Sequence, residues 1–285
     1  MPQDHLLSSR PSSGWNQAQL AMDYNPLRVM TIKGLDQLRK HIPDLYTPIG
    51  VLRFVLLPVV LFLLVTGLFN ATRFTLPSWQ GVAEILLGSL GFGLLYLFFR
   101  YRPDFKARFG PLAYRQAAMR FGLPGVTIIA AVVARLRYLP GPDILPGGWN
   151  IVLTALGWVL VVVGAALGLR TVLIFGIDNL TMLYVYFPEE SHLVDHRIYN
   201  ILRHPAYAAV LCLAFGLALL NGNWVALGCA VIFLLGLWGW VRLVEEKELI
   251  QRFGPAYVEY QKRVPAFGPR LRDLRAFFGF LIVGR

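Results

Sequence analysis

The chain has 285 residues, 56% of them hydrophobic and only 15% charged, against roughly a quarter charged in soluble domains. Its formal net charge of +11 is spread over the connections between long apolar runs, not gathered on one soluble face. That argues against a nucleic-acid-binding domain and for a polytopic membrane protein.

Residues 1–25 are rich in Ser, Pro, Gln and Asn and read as disordered. The first 48 residues are polar, so no cleavable signal peptide is expected. From Thr31 to Ile42, Ile32, Leu35, Leu38 and Ile42 share one face, which fits a short helix lying on the membrane surface or a plain solvated linker. Six apolar runs follow: Ile49–Phe69, Gly81–Phe99, Leu123–Leu139, Trp149–Gly176, Pro205–Leu220 and Trp224–Val244. About 20 such residues span a bilayer. In the second run Gly88, Gly91 and Gly93 permit close helix contact, and Glu84 stands one turn from the start, within reach of the interface. Arg100 to Gly122 carries six Lys/Arg interleaved with aromatics and reads as a basic segment at the headgroups. Arg135 and Arg137 near the end of the third run are read as snorkelling to the opposite interface. The fourth run exceeds a span, so it is expected to tilt or to emerge near Arg170. Asn221-Gly222-Asn223 is turn chemistry and makes the last two runs an antiparallel hairpin. Cys212 and Cys229 both lie inside apolar runs, so neither a disulfide framework nor a metal site is expected.

Basic residues alternate between connections. Five precede residue 49, one (Arg73) follows the first run, and six follow the second. None follows the third, one lies in Ile177–Leu202, none in the hairpin turn, and nine follow Val241. Six spans with both termini in the cytoplasm satisfy the positive-inside rule, in an all-α polytopic bundle. Arg203, His204, Glu245, Glu246 and the aromatic tail then face the cytoplasm together.

At the entry to the hairpin, Tyr199, Arg203, His204, Pro205 and Tyr207 cluster within nine positions. Arg is a planar fork for carboxylates; His and Tyr supply hydrogen bonds and stacking faces. At the exit, Arg242 and Glu246 are spaced i, i+4 and share a helix face. The hairpin brings both ends to one side of the membrane, giving a pocket with positive, aromatic and acidic walls. Such a pocket suits a zwitterionic aromatic molecule. The same groups also serve as ordinary interfacial anchors, and their spacing names no reaction.

The segment from about Leu167 to Pro269 resembles the integral-membrane methyltransferases typified by isoprenylcysteine carboxyl methyltransferase and the phospholipid N-methyltransferases. The resemblance is carried by Leu169-Arg170, His192-Leu193-Val194, Tyr199, Arg203-His204-Pro205-Ala206-Tyr207, Glu245-Glu246-Lys247-Glu248-Leu249, Phe253-Gly254, Tyr257, Tyr260, Val264-Pro265 and Pro269. The apolar runs together with this resemblance divide the chain into three expected regions: a polar or interfacial segment (1–48), N-terminal membrane helices (49–148), and a methyltransferase-like core with a C-terminal lid (149–285). The resemblance implies S-adenosylmethionine at the cytoplasmic end of the hairpin and a membrane lipid or lipidated, prenyl-type acceptor, in a bacterial inner membrane or its equivalent. His204, Pro205 and Tyr207 would help hold the cofactor, with Tyr199 beside them. Arg203 would orient that wall or meet the cofactor's carboxylate, Glu245 and Glu246 would face the ammonium or sulfonium, and Tyr257 and Tyr260 would belong to the lid. Arg242, Glu246 and His204 are the catalytic candidates, the latter two as proton acceptors for an ammonium acceptor. The pattern departs from the family at Arg197-Ile198, where a Gly-Pro pair is usual and a less glycine-like backbone path is expected. It departs again at Ala209, where Gly is common and the extra methyl narrows the approach of a helix or ligand. The alternatives are an NADPH-dependent reductase of the sterol-reductase kind, which usually carries Asn in place of Ala206, and a non-catalytic protein on the same scaffold.

Overall fold

A computed structural model describes residues 33–145, 150–191, 193 and 197–284. The chain divides into two units, 1–32 and Lys33–Arg285; the first lies outside the described residues, as does the expectation of disorder there. So do His192 and Val194.

The described residues form helices: α1 (Leu35–His41), α2 (Pro48–Thr72), α3 (Gln80–Arg100), α4 (Arg102–Phe109) and α5 (Leu123–Arg135), then α6 (Asn150–Phe175), α7 (Pro205–Asn221) and α8 (Trp224–Trp240), and finally α9 (Glu246–Phe253), α10 (Pro255–Arg263) and α11 (Leu274–Val283). Five continuous helical stretches are long and apolar enough to cross a membrane. The helix Pro205–Asn221, shorter at 17 residues, completes the expected set of six apolar helices. At about 1.5 Å per residue it is about 26 Å long.

Local chemistry sets the ends of these helices. The Thr47 hydroxyl accepts from Gly50 N at 3.1 Å and caps α2 behind Pro48, as N-cap threonines do. The hairpin turn is held as its residues foretell. Gly222 adopts φ 79° and Asn223 Oδ1 accepts from Ala226 N at 2.8 Å. Asn221 and Asn223 donate their amides to the Leu139 carbonyl.

Small residues set the close helix pairs. Gly91 of α3 and Gly125 of α5 face one another's carbonyls, and a Cβ on Gly125 would lie 3.0 Å from Gly91 O. Gly157 and Gly164 of α6 meet Gly216 and Ala209 of α7 in the same way. Of the three glycines singled out in α3, Gly88 and Gly91 are buried, whereas Gly93 faces open space. In α2 only Gly50 and Phe69 are buried, so that helix presents nearly its whole surface outward, as a lipid-facing helix can.

Three expectations change. Leu38 and Ile42 are 3% and 0% exposed, packed with Leu45, Phe98, Tyr114 and Tyr186. The short helix α1 therefore spends its apolar face on the protein core instead of leaving it free for a bilayer surface. Glu84 does not reach the interface and Arg135 does not snorkel: they are 2% and 5% exposed and paired with each other. Burial is the cheaper solution for both, because each charge finds its counterion inside the bundle. Arg137 is exposed, as expected. Helix α6 runs on past Arg170 to Phe175. The Arg170 guanidinium donates to the carbonyls of Leu281 and Ile282 at 2.8 and 2.7 Å, at the C-terminal end of α11, where a cation meets the negative helix end.

Candidate active site

The site begins where the chain enters α7. A turn at Arg197–Asn200 presents Tyr199. Arg197 holds φ 54°, so the left-handed path favoured by glycine is kept with an arginine on it, contrary to the less glycine-like path expected. Arg203 N and His204 N then donate to the carbonyls of Pro265 and Ala266 at 2.9 and 3.0 Å. The entry strand is thereby zipped to the C-terminal segment. The Tyr260 hydroxyl adds a third link, donating to Tyr199 O at 2.7 Å.

Arg203 is the centre of the zip. Its Nε and Nη2 donate to Glu246 Oε1 at 3.0 and 2.6 Å, and its Nη1 donates to the carbonyls of Gln261 and Val264. With these partners the guanidinium is largely saturated by the protein itself. His204 lies between the two acids, its Nδ1 3.4 Å from Glu245 Oε1 and its Nε2 3.5 Å from Glu246 Oε1. Its ring stacks on Tyr207 at 5.7 Å. The Tyr207 hydroxyl donates to Glu245 Oε2 at 2.5 Å and accepts from Trp240 Nε1 at 3.4 Å.

Between α8 and α9 the helix widens into a π turn at Val241–Glu245. The inserted residue rotates α9 by roughly 100° relative to an uninterrupted α-helix. Glu245 consequently borders the cavity, while Glu246, 2% exposed, sits behind the wall. Arg242 remains 3.8 Å from Glu246 Oε2, but its side chain is 56% exposed and stacks over Trp238. The one-turn spacing thus brings Arg242 to Glu246 without bringing it to the cavity.

The cavity, of about 190 Å³, is bordered by Tyr199, Arg203, His204, Pro205, Tyr207, Glu245, Tyr257 and Tyr260 among the residues singled out from sequence. Two further groups border it that carried no assigned role. Glu248 and Arg252 form a bidentate pair at 2.6 Å; their i, i+4 spacing on α9 is the signal that would have found them. The other is the connection after α6, which contributes Asn179, Met182, Tyr184 and Ser191. That connection is pinned from several sides. Ile177 N donates to Lys33 O, Tyr184 donates to Asp178 Oδ2 at 2.5 Å, and Arg102 donates to Val185 O at 2.8 Å. Asp178 lies so near Gly34 that any Cβ there would fall 1.9 Å from its Oδ1. Ala209 is absent from the cavity wall and packs toward Gly164 and Gly168 of α6. Its methyl is accommodated by glycines on the partner helix.

The electrostatics follow from this packing. Burial works against an imidazolium at His204, yet hydrogen bonds and charge from Glu245 and Glu246 outweigh it and hold its pKa above the ordinary histidine value. Burial, reinforced by the nearby Glu246 and Glu245 carboxylates, pushes the Tyr257 hydroxyl upward, so it stays protonated. That hydroxyl is buried and has no hydrogen-bond partner among the described residues. The cavity is therefore bordered by a carboxylate, an Arg–Glu pair and a stacked aromatic wall, with the unpartnered Tyr257 hydroxyl on a residue of that wall. Among the described residues no group of three or more His, Cys, Asp or Glu side chains could hold a metal ion.

The family model for phospholipid methyltransferases matches residues 152–256. Protein-S-isoprenylcysteine O-methyltransferase B of Arabidopsis thaliana is 31% identical over 148 residues, covering 50% of this chain and 72% of the relative. Protein-S-isoprenylcysteine O-methyltransferase A of the same plant is 26% identical over 147 residues, with the same coverage. The protein-S-isoprenylcysteine O-methyltransferase of Schizosaccharomyces pombe is 36% identical over 77 residues, 26% of this chain and 31% of the relative. No solved structure matches the chain. The matched residues contain most of the cavity wall, from Phe175 to Phe253, and with the first relative's identity and coverage they make this chain a member of the isoprenylcysteine and phospholipid family of membrane methyltransferases.

Proposed function

We propose that the cavity at the head of the hairpin binds S-adenosylmethionine and that the methyl group passes to the carboxylate of a prenylated cysteine or a comparable lipid-anchored acceptor. The observation that carries this is the cavity wall itself, which Glu245, Tyr257 and the Glu248–Arg252 pair border beside the stacked His204 and Tyr207. These residues fit the cofactor. Glu245 suits an ammonium or sulfonium, Arg252 a carboxylate, and the aromatic wall an adenine face. The acceptor class comes from the relatives, which are isoprenylcysteine O-methyltransferases by name.

When bound, S-adenosylmethionine supplies a methyl group already activated on a sulfonium. The protein's task is placement: attacking oxygen, methyl and sulfur must lie in line at about 3–3.5 Å. A carboxylate acceptor needs no general base, so His204 need not release its proton. Glu245 holds the Tyr207 hydroxyl, fixing the aromatic wall. Arg203 and Glu246 hold the C-terminal segment over the space and exclude water, which strengthens every charge interaction inside. The alternation of basic connections supports a cytoplasmic cavity with both ends of the chain on that side. The division into a polar start, N-terminal helices and a core with a lid is proposed with it.

The test is direct. Purified protein in nanodiscs, given methyl-labelled S-adenosylmethionine, should label a farnesylcysteine analogue with a free carboxylate. It should not label the corresponding amide. The variant Arg252→Ala should raise KM for the methyl donor about tenfold, the value of one charge-assisted hydrogen bond. Equal labelling of carboxylate and amide would remove the acceptor assignment.

A further inference from the structure

A second polar site lies at the far end of α3. Arg135 Nε donates to Glu84 Oε2 at 3.0 Å and its Nη2 donates to Gln80 Oε1 at 2.9 Å. The guanidinium also covers the Phe69 ring at 3.7 Å. Arg135 is thus partnered on three sides, and the pair is neutral as a whole. Glu84 is not satisfied: its Oε1 is buried without a hydrogen-bond partner among the described residues. In a hydrocarbon setting an unsatisfied polar atom is costly and asks for a partner.

That side chain borders a cavity of about 80 Å³ between α3 and α8, walled by Gly88, Phe92, Val132, Cys229, Phe233 and Gly236. Two glycines clear it. A Cβ at Gly88 would meet nothing closer than Val132 at 3.9 Å, and one at Gly236 nothing closer than Phe92 at 3.4 Å. At the rim Ile85, Ser89 and Ile232 are exposed on the outer face of two membrane-spanning helices, so the cavity opens toward lipid. The space exceeds what a single water needs.

We propose that this cavity binds the hydroxyl end of a neutral, membrane-soluble molecule whose apolar body lies in the bilayer beside α3 and α8. A hydroxyl donates to Glu84 Oε1 and takes nothing from Arg135. A cation would add net charge to a pair already balanced, and an anion would meet the carboxylate. The walls beyond Glu84 are apolar and suit a chain. The site is separate from the methyltransferase cavity, which α3 reaches only at Phe99. Fifteen residues of helix put about 22 Å between Glu84 and that position. The proposal therefore does not depend on the acceptor assignment.

The experiment uses the full chain in nanodiscs with a photoactivatable, diazirine-bearing long-chain primary alcohol, and with its methyl ether as the probe lacking a donor. The alcohol should crosslink to peptides containing Phe92 or Phe233 about tenfold more than the ether, the worth of one hydrogen bond. Gly88→Val, which fills the space, should cut alcohol labelling to the level of the ether and leave methyl transfer intact. Gly88→Ala, which fits without displacement, should cut it partially, and it serves where the valine variant does not fold. Equal labelling by alcohol and ether, labelling undiminished in both glycine variants, or no labelling above background (water alone in the cavity) would each overturn the proposal.

Discussion

Two buried Arg–Glu pairs divide the molecule between them. In the N-terminal helices Arg135 meets Glu84 with side chains 6% and 1% exposed; in the C-terminal region Arg203 meets Glu246 at 7% and 3%. The burial is the same and the use differs. Arg135 ties α5 to α3, two neighbouring helices that also touch at Gly91 and Gly125, and it leaves one carboxylate oxygen unspent. Arg203 joins three parts of the chain at once: the entry to α7, the start of α9, and the carbonyls of Gln261 and Val264. A buried pair in a bundle is weak evidence of stability by itself. What matters is how many elements lose their place when it is broken, and on that measure the C-terminal pair governs the cavity at the head of the hairpin and the N-terminal pair does not.

Breaking the C-terminal pair is the severest test. Arg203→Ala should abolish methyl transfer and cofactor binding and expose residues 261–266 to protease, at a cost of about 3–5 kcal/mol for the stranded Glu246. Retained affinity for the methyl donor would refute the clasp. Arg135→Met should cost about as much in thermal stability, since it strands Glu84, but should spare cofactor binding. Glu84→Gln with Arg135→Met should recover much of the loss, and a double-mutant cycle measures the coupling. Near the C-terminal pair, Arg197→Gly should stabilise the protein by about 1 kcal/mol by relieving the left-handed strain at φ 54°. A lower melting temperature would show that the arginine side chain makes a compensating contact. The smallest effect is a pH dependence. His204 is more basic in the folded chain than its ordinary value of about 6.5. Its contribution is therefore fully present below about pH 6.5 and is lost as pH rises through the higher folded value. The stability gap between wild type and His204→Asn should shrink as pH rises; a gap constant to pH 9 would argue that the imidazole acts only by packing.

Much of this was legible in the chain. Asn221-Gly222-Asn223 announced the hairpin because its residues hold a positive φ and cap α8 by themselves. The apolar runs announced the helices because hydrocarbon admits little else. The polar ends of the hairpin and their family motif announced a methyltransferase. The pairings were harder. Glu84 and Arg135 stand 51 positions apart, and nothing local reveals that two charges in separate runs will neutralise each other. Arg242 drew attention by its spacing to Glu246, but the π turn between them rotates the helix, and no residue pattern in Val241–Glu245 predicts that insertion. Glu248 and Arg252 are readable by the same spacing rule, but a charged i, i+4 pair at a helix end is ordinary and marks no site by itself. Of the two roles open to Arg203, orienting the wall or meeting a ligand carboxylate, its donors favour the first: they meet Glu246 and two carbonyls that only the folded C-terminal segment supplies.

The three-way clasp at Arg203 has a consequence for biosynthesis. Helices α7 and α8 can enter the membrane as soon as they emerge, but Arg203 lacks two of its acceptors until residues 261–264 have left the ribosome. During that interval a guanidinium, an imidazole and two carboxylates wait at the membrane surface with an incomplete set of partners. The newborn hairpin is thus inserted before it is finished, and the cavity at its head closes only when this later stretch of chain arrives.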